Sequence, residues 1–207
     1  YTLAGWEAVA TCLRWKPGQS PHFPPHTPSR AARAPGMLHL GFRRQDGSLR
    51  DVVFADAPGE WFQKWAINEQ AADAEGARWI ARHADVTLLI ADRQALAGPK
   101  MGTARNNFQL LAQRTVAESH GRRLALVWTK GDVEVAPAME AQIKSALATK
   151  ASSVPEFTVS VYPRGELDPA EGFRELFHWI LSTKRAAVNL PMTEASGHDP
   201  LFRFGRR

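Results

Sequence analysis

The chain has 207 residues, 44% hydrophobic and 23% charged, which suits one globular domain with appendages and a core that needs no staples. Its single cysteine, Cys12, excludes an internal disulfide and suits a reducing, cytoplasmic setting, and no apolar run approaches the ~20 residues of a transmembrane helix. The net charge of +5 is scattered, densest at Arg203–Arg207, and reads as a solvated basic surface rather than a nucleic-acid stripe.

Residues 1–15, "YTLAGWEAVATCLRW", carry apolar side chains at helical spacing and stop at Lys16-Pro17-Gly18. From Pro17 to Gly36 six prolines exclude a helix or a central strand, so this stretch is expected to be a long, extended loop. Two β-like runs follow, 37–44 and 50–57, with Asp46-Gly47 between them as a hairpin turn signal. The pattern from Trp61 to Ala84 is helical, and then the types alternate. Strands are expected at 85–92, 122–129 and 157–162, with helices at 102–119, 136–151 and 170–184. The strands lack clean alternation and so read as buried on both faces. Strands alternating with helices imply a three-layer α/β fold: a mostly parallel sheet, one antiparallel hairpin, and helices on both faces. No internal repeat is visible. The expected division is a domain over 1–185 and a tail over 186–207 without periodicity.

Two strand ends carry the chemistry. "VVFADAPGEWF" runs a buried strand into Asp56 and then turns at Pro58-Gly59. In an open α/β sheet ligands sit beyond the carboxyl ends of the strands. A carboxylate there can hold Mg²⁺ through water, and a glycine N–H can approach a terminal phosphate closely. The competing explanation is an aspartate that caps the next helix. "LALVWTKGD" ends a second strand in Thr129-Lys130-Gly131-Asp132. An aspartate so placed accepts two hydrogen bonds from the N1–H and amine of guanine, a donor pair that adenine lacks, while the lysine stem lies along the ring. The competing explanation is an ordinary polar turn.

With these two motifs in this order, the chain resembles the P-loop GTPases, the broad class of Ras-like and translation-factor G domains. Asp56-Ala57-Pro58-Gly59 matches the third family motif and Thr129-Lys130-Gly131-Asp132 the fourth. More narrowly, "DAPGEWF", "GARWI", "LAGP" and "VWTKGD" look like the bacterial double-GTPase-type proteins of conflict and defence systems. The resemblance implies GTP and Mg²⁺ as ligands, Thr129, Lys130 and Asp132 on the base, and Asp56 on the metal. It also implies Gly59 and Glu60 at the reacting phosphate. Thr27, in the proline-rich loop, falls where the family has a threonine that binds Mg²⁺ and senses the γ-phosphate; a linker threonine is the alternative. Arg30 and Arg33 stand nearby as candidate arginine fingers. The fifth motif falls near Val159–Tyr162, where the match to Ser/Thr-Ala-Lys is poor.

Two departures stand out. The phosphate-cradling Gly-x-x-x-x-Gly-Lys-Ser/Thr is absent, and "AGPKMGTAR" (97–105) has the wrong spacing and reads as the cap of a helix beginning at 103. The chain opens on Tyr1, so the expectation is a GTPase-like domain whose phosphate loop lies upstream; the alternative is a degenerate, non-hydrolysing interaction module. Second, Glu60 replaces the usual water-orienting glutamine, which implies slow intrinsic hydrolysis or a partner's help. Trp61, Phe62 and Trp65 then follow on one helical face, as core or as a surface for protein partners. "LLIAD" (88–92) imitates an ATPase metal strand without the rest of an ATPase, and the prolines around His22 and His26 exclude a helical metal pair.

Overall fold

The computed structural model describes residues 36–98, 101–120, 122–148, 154–161 and 169–183. Strands β1 (Gly36–Arg43) and β2 (Leu49–Asp56) pair antiparallel, from Arg43 opposite Leu49 to Gly36 opposite Asp56. The Asp-Gly signal works as its chemistry requires. Gly47 takes φ +80°, and its N–H donates to the Arg44 carbonyl at 2.9 Å. The Asp46 carboxylate accepts from the N–H and hydroxyl of Ser48 at 2.9 and 2.6 Å, which holds it below its ordinary pKa.

The helical stretch after Asp56 is two helices rather than one: α1 (Gly59–Ile67) and α2 (Glu75–His83), joined by a 3₁₀ turn over Ala72–Ala74. Asn68 makes the break, leaving helical geometry at φ −137° while its side chain accepts from the Gln70 N–H. Arg78 of α2 then donates to the carbonyls of Glu69 and Ala71 and fixes the turn. The two helices meet at Gly76. A methyl group there would stand 2.2 Å from the Trp61 ring, so glycine lets the indole lie against the α2 backbone.

After α2 come β3 (Val86–Asp92), α3 (Arg93–Ala97), α4 (Met101–Ser119), β4 (Arg123–Thr129), α5 (Pro137–Ala148), β5 (Glu156–Thr158) and α6 (Pro169–Leu181). The five-residue α3 is too short to show a helical period in the sequence. It exists because Asp92 caps it, accepting from the N–H groups of Gln94 and Ala95 at 2.9 and 3.2 Å. Helix α4 begins at Met101, one residue before the expected start at 102. Strand β5 is shorter than expected, ending at Thr158.

Strands β3, β4 and β5 form a parallel sheet in that order. Alternation in β4 sends Leu124, Leu126 and Trp128 toward Phe108, Ala112 and Val116 of α4 and Met139, Ile143 and Leu147 of α5. Val127 faces the other way, toward Val159 and the α6 residues Leu176 and Ile180. Helices therefore cover both faces. Burial on both faces holds for β4 but not for β3, where Ile90 is 50% exposed, nor for the hairpin, where Val53 is exposed.

A third cluster, Trp61, Trp65, Ala74 and Ala77, closes against Leu111 of α4. The hairpin docks through Phe42 and Phe54, whose ring centroids lie 5.7 and 6.3 Å from that of Phe177 on α6. Val52 of β2 and Leu88 of β3 share the α6 cluster, yet among the described residues no ladder joins those two strands. Among the described residues the antiparallel hairpin and the three parallel strands, both expected from sequence, are separate ladders.

Candidate functional site

The register brings three strand ends level: Asp92 opposite Thr129, and Trp128 opposite Thr158. Beyond them the chain leaves β4 in a tight turn. Lys130 takes φ +55°, a left-handed conformation that costs a non-glycine residue about 1 kcal/mol or more. Backbone bonds hold it there. The Lys130 carbonyl accepts from the Val133 N–H at 2.9 Å, and the Gly131 N–H donates to the Val159 carbonyl at 3.1 Å. The Val159 N–H donates back to the Trp128 carbonyl at 2.8 Å, so the turn is tied to the end of β5.

Side chains fix what the turn presents. The Lys130 ammonium donates to Asp92 Oδ2 at 2.9 Å and to Gln94 Oε1 at 2.7 Å. Asp132 is half-buried, and its Oδ1 accepts the hydroxyl of buried Ser160 at 2.7 Å. A carboxylate offers about four lone-pair sites, so this bond orients Asp132 and leaves it acceptor capacity toward a ligand. The Thr129 hydroxyl lies 3.5 Å from the Ala91 carbonyl and faces the neighbouring strand.

A second group forms where β2 meets α1. Asp56 is the last residue of β2, and the N-cap position of α1 belongs to Pro58. Gly59 opens the helix, where N–H groups lack intrahelical acceptors. Among the described residues a methyl group on Gly59 would meet nothing within 4 Å, so their packing does not require glycine there. Glu60 sits half-buried in the first helical turn, where a negative charge complements the helix dipole.

A family model described as Double-GTPase 2 matches residues 1–180, most of the chain. The chain belongs to the Double-GTPase 2 family. No curated relative matches it. Family membership makes this a GTPase-like domain, and both motifs that suggested as much lie inside the matched span.

In this Double-GTPase 2 domain the structure gathers Lys130 and Asp132 with Ser160, from the stretch of the poorly matched fifth motif, and with Asp92, the last residue of "LLIAD". Ser160 lies in the Val159–Tyr162 stretch where the fifth motif matched poorly, because alanine and lysine are missing from it; the available signal was a hydroxyl residue level with the β4 turn. Asp92 closes "LLIAD", and its carboxylate is occupied by the α3 cap and by Lys130. Trp61 and Trp65 are core, 6% and 1% exposed, so the aromatic face after Glu60 packs inward. Thr27, Arg30, Arg33, His22 and His26 lie outside the described residues, as does the tail from 186. Among the described residues no group of three or more His, Cys, Asp or Glu side chains could hold a metal, and no helix is long and apolar enough to cross a membrane.

Proposed function

We propose that this domain binds guanine nucleotide with Mg²⁺ and works as a GTP-dependent switch. One observation carries the reading: the Lys130–Asp132 turn is pinned to its neighbours on both sides, with Asp132 held by Ser160 and Lys130 by Asp92. A loop needing only polarity has no use for a left-handed lysine and a buried serine bonded to an aspartate. In the proposed complex Asp132 accepts the N1–H and amine protons of guanine, and the Lys130 stem lies along the ring. Adenine would leave a partly buried carboxylate without its donors, which is the basis of selectivity.

Asp56, at the strand end, would hold Mg²⁺ through water. One carboxylate with substrate phosphates and water suffices for this ion, so no carboxylate cluster is required. When bound, the ion would supply charge neutralisation on the β- and γ-phosphate oxygens. The space that the described residues leave beside Gly59 suits close approach of the γ-phosphate to its N–H. Thr27, outside the described residues, is assigned to the same phosphate by the family resemblance alone. Glu60 orients water for in-line attack on the γ-phosphorus, releasing GDP and phosphate, but its negative charge opposes the phosphate, so intrinsic hydrolysis is slow.

The phosphate cradle itself would come from a strand and loop outside these motifs. Among the described residues β2 and β3 share the α6 cluster without a ladder between them, so each has an edge that such a strand could pair with. The contrasting reading, an interaction module working through the aromatics after Glu60, is disfavoured by the burial of Trp61 and Trp65. Calorimetry of the full-length protein with GTP, GDP and ATP in Mg²⁺ tests the proposal. GTP and GDP should bind, ATP should not, and Asp132→Ala should abolish binding; equal binding of ATP, or an unaffected variant, would refute the guanine assignment.

A further inference from the structure

Three consecutive residues where β3 passes into α3 grip the turn after β4 at both of its ends. Asp92 divides its carboxylate: Oδ1 caps α3, and Oδ2 accepts the Lys130 ammonium at 2.9 Å. Gln94 supplies the second acceptor for that ammonium at 2.7 Å. Arg93 turns the other way. Its guanidinium lies 5.6 Å from the Trp128 ring centroid, pairs with Glu140 of α5 at 2.7 Å, and reaches the Val133 carbonyl at 3.5 Å. The junction therefore touches the turn at Lys130, where it leaves β4, and at Val133, where it heads for α5.

We propose that this β3–α3 junction presets the turn for the base, with Asp92 as the positioning residue that acts through Lys130. The inference rests on the guanine-nucleotide reading above. A lysine stem is rich in rotamers, and ordering it at the moment of binding weakens the complex. Here the ammonium is anchored before any ligand arrives, so the stem is ordered during folding instead. Anchoring at Lys130 also opposes relaxation of its left-handed backbone, which would swing Asp132, two residues on, away from Ser160. Both partners are partly exposed, 44% and 39% by side chain, so the attraction is screened by salt.

Asp92→Asn separates this role from the structural one, because asparagine caps a helix as well as aspartate does but carries no charge for Lys130. Lys130→Met removes the ammonium and keeps an unbranched stem. In the full-length protein, GDP binding by Asp92→Asn should weaken about 3- to 5-fold at low salt, the range of a partly exposed ion pair, with a melting temperature lowered by no more than a few degrees. The loss should shrink as salt rises. In the Lys130→Met background, Asp92→Asn should add nothing. Should Asp92→Asn melt early, Gln94→Ala carries the same cycle, since it leaves both cap bonds in place. Wild-type affinity in Asp92→Asn and Gln94→Ala, or losses that add to that of Lys130→Met, would overturn the positioning role while leaving guanine binding intact. A wild-type protein that binds no guanine nucleotide would overturn both.

Discussion

Gly172 is the position where helix packing and the candidate site meet most directly. It lies in the first turns of α6, and a methyl group there would stand 2.2 Å from the carbonyl oxygen of Thr158, against about 3.4 Å for ordinary contact. The obstacle is backbone, so no rotamer change relieves it; α6 or the end of β5 must move by about 1 Å. Overpacking of this kind costs about 1–3 kcal/mol. Alanine in place of glycine within a helix returns at most about 1 kcal/mol. Gly172→Ala should therefore be destabilised by up to about 2 kcal/mol, and urea unfolding followed by tryptophan fluorescence measures it. Thr158 is two residues from Ser160, so the same shift should loosen the Ser160–Asp132 bond and weaken guanine nucleotide binding beyond the loss of folded protein. Gly102, in the first turn of α4, is the control: among the described residues a methyl group there meets nothing within 4 Å, and Gly102→Ala should be neutral or slightly stabilising. A Gly172→Ala protein that gains stability as the control does would refute the α6–β5 packing described above.

Trp65→Ala removes a side chain only 1% exposed, at the centre of the α1–α2–α4 cluster, and should cost about 3–5 kcal/mol in urea unfolding. Gly59→Ala should leave thermal stability unchanged, because no described residue lies within 4 Å of the added methyl, and should weaken GTP more than GDP in calorimetry. Asp46 should titrate below 3.8 by NMR, because Ser48 bonds to its charged form. A folded-state pKa below the unfolded one stabilises the hairpin above the unfolded pKa, and that stability is lost as pH falls through the folded value. Ser48→Ala should return the Asp46 titration toward its ordinary position.

Much of this molecule is legible along the chain because its signals are local. Alternation, helical periodicity and an Asp-Gly pair report the conformation of neighbouring residues, and they located the hairpin, the parallel strands and the helices to within a few residues. They also located both motif-bearing strand ends. Periodicity failed where a single side chain overrides it: Asn68 and Arg78 split one apparent helix into α1 and α2, and the Asp92 cap starts a helix too short to show a period. The sequence could name Lys130 and Asp132 but not what holds them. Asp132 meets Ser160 across 28 residues, and Lys130 meets Asp92 across 38. Neither pairing has a periodic signature, because it depends on strand order and register, which bring the ends of β3, β4 and β5 level. Strand ends so aligned turn a lysine and an aspartate in a polar turn into an oriented pair, and only the folded chain contains that alignment.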